Sequence, residues 1–271
     1  MFMDTSDTSF DILWQHIFAK RPTLKSIIDQ YGQSSVADYI DQHLIQPQPG
    51  SKRAEELLES LRAIARTRLP VAVVDTLINQ LQNNFVVSTV DHHGPLSHPF
   101  FLNADFLMGA WVQKHVSGPS VIPVLSTASI SLNNSSFPRG FLLHTKASDY
   151  DRLAILPSQS SMQPVYSLGA YTQERVSRLL QQVDNLDLSP AKKEVLHKML
   201  REITAVDTTD VRYAEQVTRI NYRLWVLLQG LWQTKWPDLV TIEQETVVAD
   251  VLCKHHLGHD TLISEVLCNP L

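Results

Sequence analysis

Between positions 88 and 99 the chain reads STVDHHGPLSHP. Three of its eleven histidines, His92, His93 and His98, fall within this one loop beside Asp91. Imidazole titrates near neutrality and is a common metal ligand, and a neighbouring carboxylate can orient it or bind the metal itself. Two chemistries suit such a cluster. In the first, Asp91, His93 and His98, with His92 at hand, hold a divalent Zn, Mn or Fe ion whose bound water attacks an ester or amide. In the second no metal takes part. One histidine is a general base, Asp91 sets its tautomer, and backbone N–H groups bind the anionic end of a substrate. A solvated turn capped by Asp91 would use the same residue types without any chemistry.

The loop is positioned by what flanks it. Upstream, FVVSTV is a strand pattern with apolar residues on both faces, which predicts a central place in its sheet. If the strand runs through His93, Asp91 and His93 share one face and His92 takes the other. Gly94-Pro95 turns the chain, Ser97 caps a helix, and Pro99 falls in its first turn, where a missing N–H costs nothing. The helical stretch HPFFLNADFLMGAWVQKHV is apolar nearly all round, which predicts burial. A strand end leading into a helix N-terminus is where open α/β sheets take ligands and where the helix dipole favours an anion.

Candidate substrate-binding residues surround this point. Asn103, one turn from Phe100, is placed to hold the loop from behind. VIPVLSTASISL reads as a second strand carrying Ser126. The turn NNSSFPRG that follows supplies Asn133, Asn134 and Arg139. Arg139, between Pro138 and Gly140, suits a bidentate clamp on carboxylate or phosphate, and an exposed turn arginine fits equally. Glu243 and Glu245 in TIEQETV are either further acids or the polar start of a helix.

Beyond the loop, the chain divides into three parts. Residues 1–83 read as helices punctuated by Pro22, the linker QPQPGSK and Pro70, with VAVVD open to strand or helix. Residues 84–170 turn β-rich, adding FLLHT, RLAILP and QPVYSL as a third, fourth and fifth strand. Residues 171–271 return to helix, with Ser189-Pro190 a strong start signal. The expectation is an α+β fold in which a central mixed β-sheet, about 84–170, is flanked by N-terminal and C-terminal helical segments. The last residues carry no polar tail, as in a piece of a longer chain.

Composition limits the function classes. The 271 residues are 44% hydrophobic and 19% charged, enough for a sizeable core without staples. A net charge of −5 offers no footprint for nucleic acid. No stretch reaches the roughly 18 apolar residues of a membrane span. Two cysteines, Cys253 and Cys268, predict a reduced, cytoplasmic protein. No Walker loop, GxGxxG or GxSxG pattern is present.

Asp91-His92-His93 after a β-run resembles the central motif of the DHH phosphoesterases, and Asp75 at the end of VAVVD resembles their preceding acidic motif. The resemblance is confined to these residues. Everything upstream reads as helix where that family has its first aspartate-rich motif, and no glycine-rich substrate motif follows. What it implies is metal-dependent phosphoester chemistry. The combined expectation is an enzyme acting on a small anionic substrate, with metal-assisted hydrolysis ahead of metal-free His/Asp chemistry. The rival is a binding or assembly module with a structural histidine loop. An oligomer stays open under both.

Overall fold

The computed structural model describes residues 8–43, 51–84, 86–90, 92–96, 99–131, 140–146, 149–154, 162–205, 212–233 and 235–256. It forms two units, residues 1–45 and 46–271.

The first unit holds α1 (Thr8–Lys20), α2 (Pro22–Tyr31) and α3 (Val36–His43). Proline ends α1 and opens α2, where its missing N–H is harmless. Ser35 caps α3, its hydroxyl accepting from the Asp38 N–H at 3.1 Å. Tyr31, Tyr39 and His43 form a ring cluster with centroids 4.5–5.2 Å apart. Ala37 is the buried apolar side chain of this unit among the described residues.

The second unit is built on a parallel sheet of β1 (Ser88–Val90), β2 (Val121–Ser126) and β5 (Asp238–Glu243), in the order β1-β2-β5. Strands joined by long helical connections pair in parallel because the chain must cross back over the sheet. Both faces are covered. On one face Val121, Val240 and Ile242 pack against α4 (Lys52–Arg66) and α5 (Val71–Asn83) through Leu61, Leu77, Ile78 and Leu81. On the other, Ile122, Val124 and Leu239 meet Trp225 of α9 (Tyr213–Trp232) and Leu102 and Phe106 of α6 (Pro99–His115). The side-chain alternation of a strand therefore puts Ile122, Val124 and Ser126, and likewise Leu239, Thr241 and Glu243, on the α6/α9 face. Gln80 ties α5 to β2: its amide donates to the Val121 carbonyl at 2.9 Å and accepts from the Val121 N–H at 3.0 Å.

A hairpin of β3 (Gly140–Lys146) and β4 (Asp149–Ala154) forms a separate antiparallel sheet. Its Phe141 and Leu153 join α7 (Gln173–Asn185), α8 (Pro190–Thr204) and α9 in a second core. α10 (Gln244–Val251) follows β5 directly and runs into a π-turn at Leu252–His256. Ser51 and Ser189 cap α4 and α8 as their positions predict.

The α+β class with helices on both flanks of the sheet is as expected; the sheet's membership differs. β1 is an edge strand, and β2, buried nearly throughout, is the central one. QPVYSL is not a strand but a 3₁₀ turn at Val165–Ser167. VAVVD opens α5. The strand DLVTIE lies in a segment whose pattern predicts helix, so the sheet is parallel and reaches beyond residue 170. α6 buries Trp111 and Val112 but leaves Asn103 and Leu107 exposed, so it is not buried all round. Cys253, expected as a free thiol, is disulfide-bonded. No helix among the described residues is long and apolar enough to cross a membrane.

α6 lies close to the chain segment that enters β5. A Cβ at Gly109 would run into the Trp236 indole nitrogen and stand 2.7 Å from its Cε2 and 3.0 Å from Ile122 Cδ1. Gly109→Ala should therefore destabilise by about 1–3 kcal/mol through overpacking, beyond the ~1 kcal/mol that alanine gains in a helix. Chemical denaturation measures this, and a variant as stable as the parent would refute the close approach.

Candidate functional site

Parallel register assembles the site. Val90 of β1 pairs with Ser126 of β2, and Ser126 pairs with Glu243 of β5. Three strands thus end in one row, and the residues after each row position meet at the carboxyl edge of the sheet. The pairing continues one step past β1: Thr127 donates to the Val90 carbonyl at 3.2 Å and the His93 N–H donates to the Thr127 carbonyl at 3.0 Å. This holds His93 over Ser126.

The His93 side chain is fully buried. Its Nε2 lies 2.8 Å from the Ala214 carbonyl of α9, and its Nδ1 lies 2.6 Å from the Ser126 hydroxyl. A carbonyl can only accept, so Nε2 carries the proton and Nδ1 accepts from Ser126. Desolvation lowers the His93 pKa, although Glu243 pulls the other way. The ring is neutral at pH 7, and its 3.6 Å approach to Glu243 is a charge–dipole contact.

Glu243 itself is an ion. It pairs at 2.6 Å with Arg68, which follows α4, both side chains being at least 97% buried. Burial opposes ionisation of Glu243, but the Arg68 charge and the hydrogen bonds from Arg68 and Thr246 outweigh it and hold its pKa below the usual carboxylate range. Thr246 donates to the second carboxylate oxygen at 2.7 Å. Arg68 also reaches the Thr218 hydroxyl at 3.4 Å. Beside this pair, Glu245 spans the loop after β2: its two oxygens accept from the N–H groups of Ala128 and Ser129 at 2.8 and 2.7 Å. Two successive backbone donors converging on one carboxylate form an anion nest.

The strand ends at Val90 and does not run through His93, so alternation does not set the direction of His92, which lines a separate space. With Asp105 of α6, Asn221 of α9, Thr241 of β5 and Gly94 it lines a cavity of about 20 Å³, room for one water. Asn221 accepts from the Leu96 N–H at 2.7 Å and donates to the Gly94 carbonyl at 3.1 Å. It therefore does the loop-holding work expected of Asn103, which points out to solvent two residues from Asp105. Asp105 is buried, its Oδ1 has no hydrogen-bond partner, and desolvation pushes its pKa up to about 7. Ala214, Thr218 and Asn221 sit at i, i+4 and i+7 of α9, so one helix face serves both the His93 and the His92 sides.

Of the expected site residues, the structure brings His93 and Ser126 into contact, while His92 lines the separate small cavity. Ser126 is fully buried against His93, so it holds the loop and is not open to a substrate as expected. Asp91, His98, Asn133, Asn134 and Arg139 lie outside the described residues. In this arrangement His93 has no ring lone pair free for a metal and does not fit the ligand role expected of it. Among the described residues no three His, Cys, Asp or Glu side chains are grouped to hold a metal ion. Asp75, the second point of the DHH resemblance, sits on α5, half-exposed and 3.5 Å from Arg66, as a surface pair.

Sequence reasoning missed Arg68, Asp105 and Asn221, and gave Glu243 too little weight. One signal was available: DLVTIE, like FVVSTVD, is an apolar run closing on an acid. Asn221 and Asp105 were polar residues on otherwise apolar helix faces.

Two outcomes follow. Glu243→Gln leaves the Arg68 charge buried without its counter-ion and should cost about 3–5 kcal/mol; denaturation that shows under 1 kcal/mol would mean the pair is not intact. Asp105 has a folded pKa of about 7 against an ordinary value of 3.8. The folded state therefore holds a proton that the unfolded chain has lost between these values, and stability falls as pH rises through that window. Asp105→Asn should match the parent below pH 4 and exceed it at pH 8, by at most ~4 kcal/mol. Melting curves across pH test this, and a constant offset would mean the carboxyl is not raised.

No protein-family model matches this chain, and neither does any curated protein or solved structure.

Proposed function

We propose that the chain is a hydrolytic enzyme for a small anionic substrate, working by acid–base chemistry at the carboxyl edge of its parallel sheet. The observation that carries this reading is Asp105: a buried carboxyl lacking a partner on Oδ1, with a pKa of about 7, on the same one-water cavity as His92. A carboxylate of that basicity takes a proton from a water efficiently at neutral pH, where an ordinary aspartate is too weak a base. Asp105 is the general base, and His92 and Asn221 orient the attacking water. His93, Ser126, Glu243 and Arg68 are positioning residues that fix the loop bearing His92. The Ala128 and Ser129 N–H groups, which hold the Glu245 carboxylate, offer the same two donors to a substrate carboxylate or phosphate when Glu245 withdraws.

The metal-assisted form of the reading draws its ligands from Asp91, His92 and His98, with His93 left to its two internal partners. The disulfide at Cys253 argues for oxidising surroundings over the cytoplasm as the working compartment. A non-enzymatic binding module is favoured by one observation, that both His93 ring nitrogens are satisfied inside the protein.

The test is hydrolysis of p-nitrophenyl acetate and p-nitrophenyl phosphate across pH, with and without EDTA. The expected result is turnover of at least one ester that rises to half its plateau near pH 7, ignores EDTA and drops ~10²–10⁴-fold in Asp105→Asn. Turnover abolished by EDTA and restored by Zn or Mn would shift the chemistry to the metal-assisted form. Full activity in Asp105→Asn removes Asp105 as the base, and silence toward both esters returns the site to the binding-module reading.

A further inference from the structure

The opposite end of the sheet carries a larger feature. Where β2 and β5 begin, a cleft of about 640 Å³ opens between the start of α5, the end of α6 and the chain entering β5. Small-molecule sites typically have volumes of roughly 300–1,000 Å³. Val73, Pro119 and Trp236 give it apolar walls, and Asp238 lines it at the first position of β5.

The Asp238 side chain is half-buried and accepts one described hydrogen bond, from the Gln229 amide at 3.3 Å. Gln229 also accepts from the Trp236 N–H at 3.0 Å, so the carboxylate is held in place by a neutral clamp. No described salt bridge balances it. Lys235 lines the same cleft but is exposed and forms no ion pair with Asp238 among the described contacts. Burial raises the Asp238 pKa, the mark of a carboxylate short of a counter-charge. Taking an unpaired charge out of water is unfavourable unless a partner arrives, and the geometry leaves the space for that partner inside the cleft.

We infer that this cleft binds a small organic cation, its ammonium group against Asp238 and its hydrocarbon part against Val73, Pro119 and Trp236. The site is separate from the carboxyl edge and independent of the reaction proposed there. Calorimetry and thermal shift at pH 8 with benzylamine, benzyl alcohol and benzoate test it. At ten times its Kd, benzylamine should raise Tm by ~3 °C and bind at least ~10-fold more tightly than benzyl alcohol, with benzoate inert. Asp238→Asn, which keeps the Gln229 contact, should weaken benzylamine by ~10-fold or more. Ala72→Phe, which pushes a ring into the cleft from its rim, should abolish binding of both benzylamine and benzyl alcohol. Equal affinity for amine and alcohol, preference for benzoate, unchanged benzylamine affinity in Asp238→Asn, or no binding of any probe would each overturn the assignment.

Discussion

The pairing of Val90 with Ser126 and of Ser126 with Glu243 is the constraint on which the polar centre depends. Because all three strands are parallel, their carboxyl ends fall on one edge, and whatever follows each strand must share that space. His93 lands over Ser126, Glu243 next to His93, and Glu245 on the backbone after β2. A slip of one residue in any strand would send these side chains to the opposite face, into the apolar layer of α4 and α5. The register is held against that slip by the apolar residues that alternate with the polar ones, Val240 and Ile242 against Leu239 on β5.

Placing Arg68, Glu243 and His93 in one dry region is energetically demanding. Each polar atom that lacks a partner there costs about 1–3 kcal/mol, and a charge costs more. The arrangement answers this with nearly complete pairing: Arg68 with Glu243, Thr246 on the other carboxylate oxygen, and Ser126 and Ala214 on the two imidazole nitrogens. The cavity beside it does not follow the same rule. Burial keeps Asp105 protonated up to about pH 7 by disfavouring its charged form. The two halves of the loop thus divide labour, His93 inward as an anchor and His92 toward the cavity.

α9 couples both halves. Its face of Ala214, Thr218 and Asn221 touches the His93 ring, the arginine and the Gly94–Leu96 turn in order. Further along, Trp225 donates to the Pro237 carbonyl at 2.8 Å and Gln229 holds Trp236 and Asp238. One helix therefore sets the geometry of both ends of the sheet, and a shift of α9 along its axis would be felt at the cavity and at the cleft together.

Local sequence determined most of the helices, their serine caps at 51 and 189, the strand before the histidine loop and the turn at Gly94-Pro95. These follow from periodicity and capping, which act over a few residues. Tertiary structure alone decided that Asn221 and not Asn103 holds the loop, that Glu243 closes a third strand, and that Arg68, 175 positions away in sequence, neutralises it. The physical reason is that burial and pairing depend on which elements become neighbours. Two polar side chains on apolar helix faces, Asp105 and Asn221, look alike in sequence; only packing leaves the Asp105 Oδ1 unbonded and gives the other the loop's backbone.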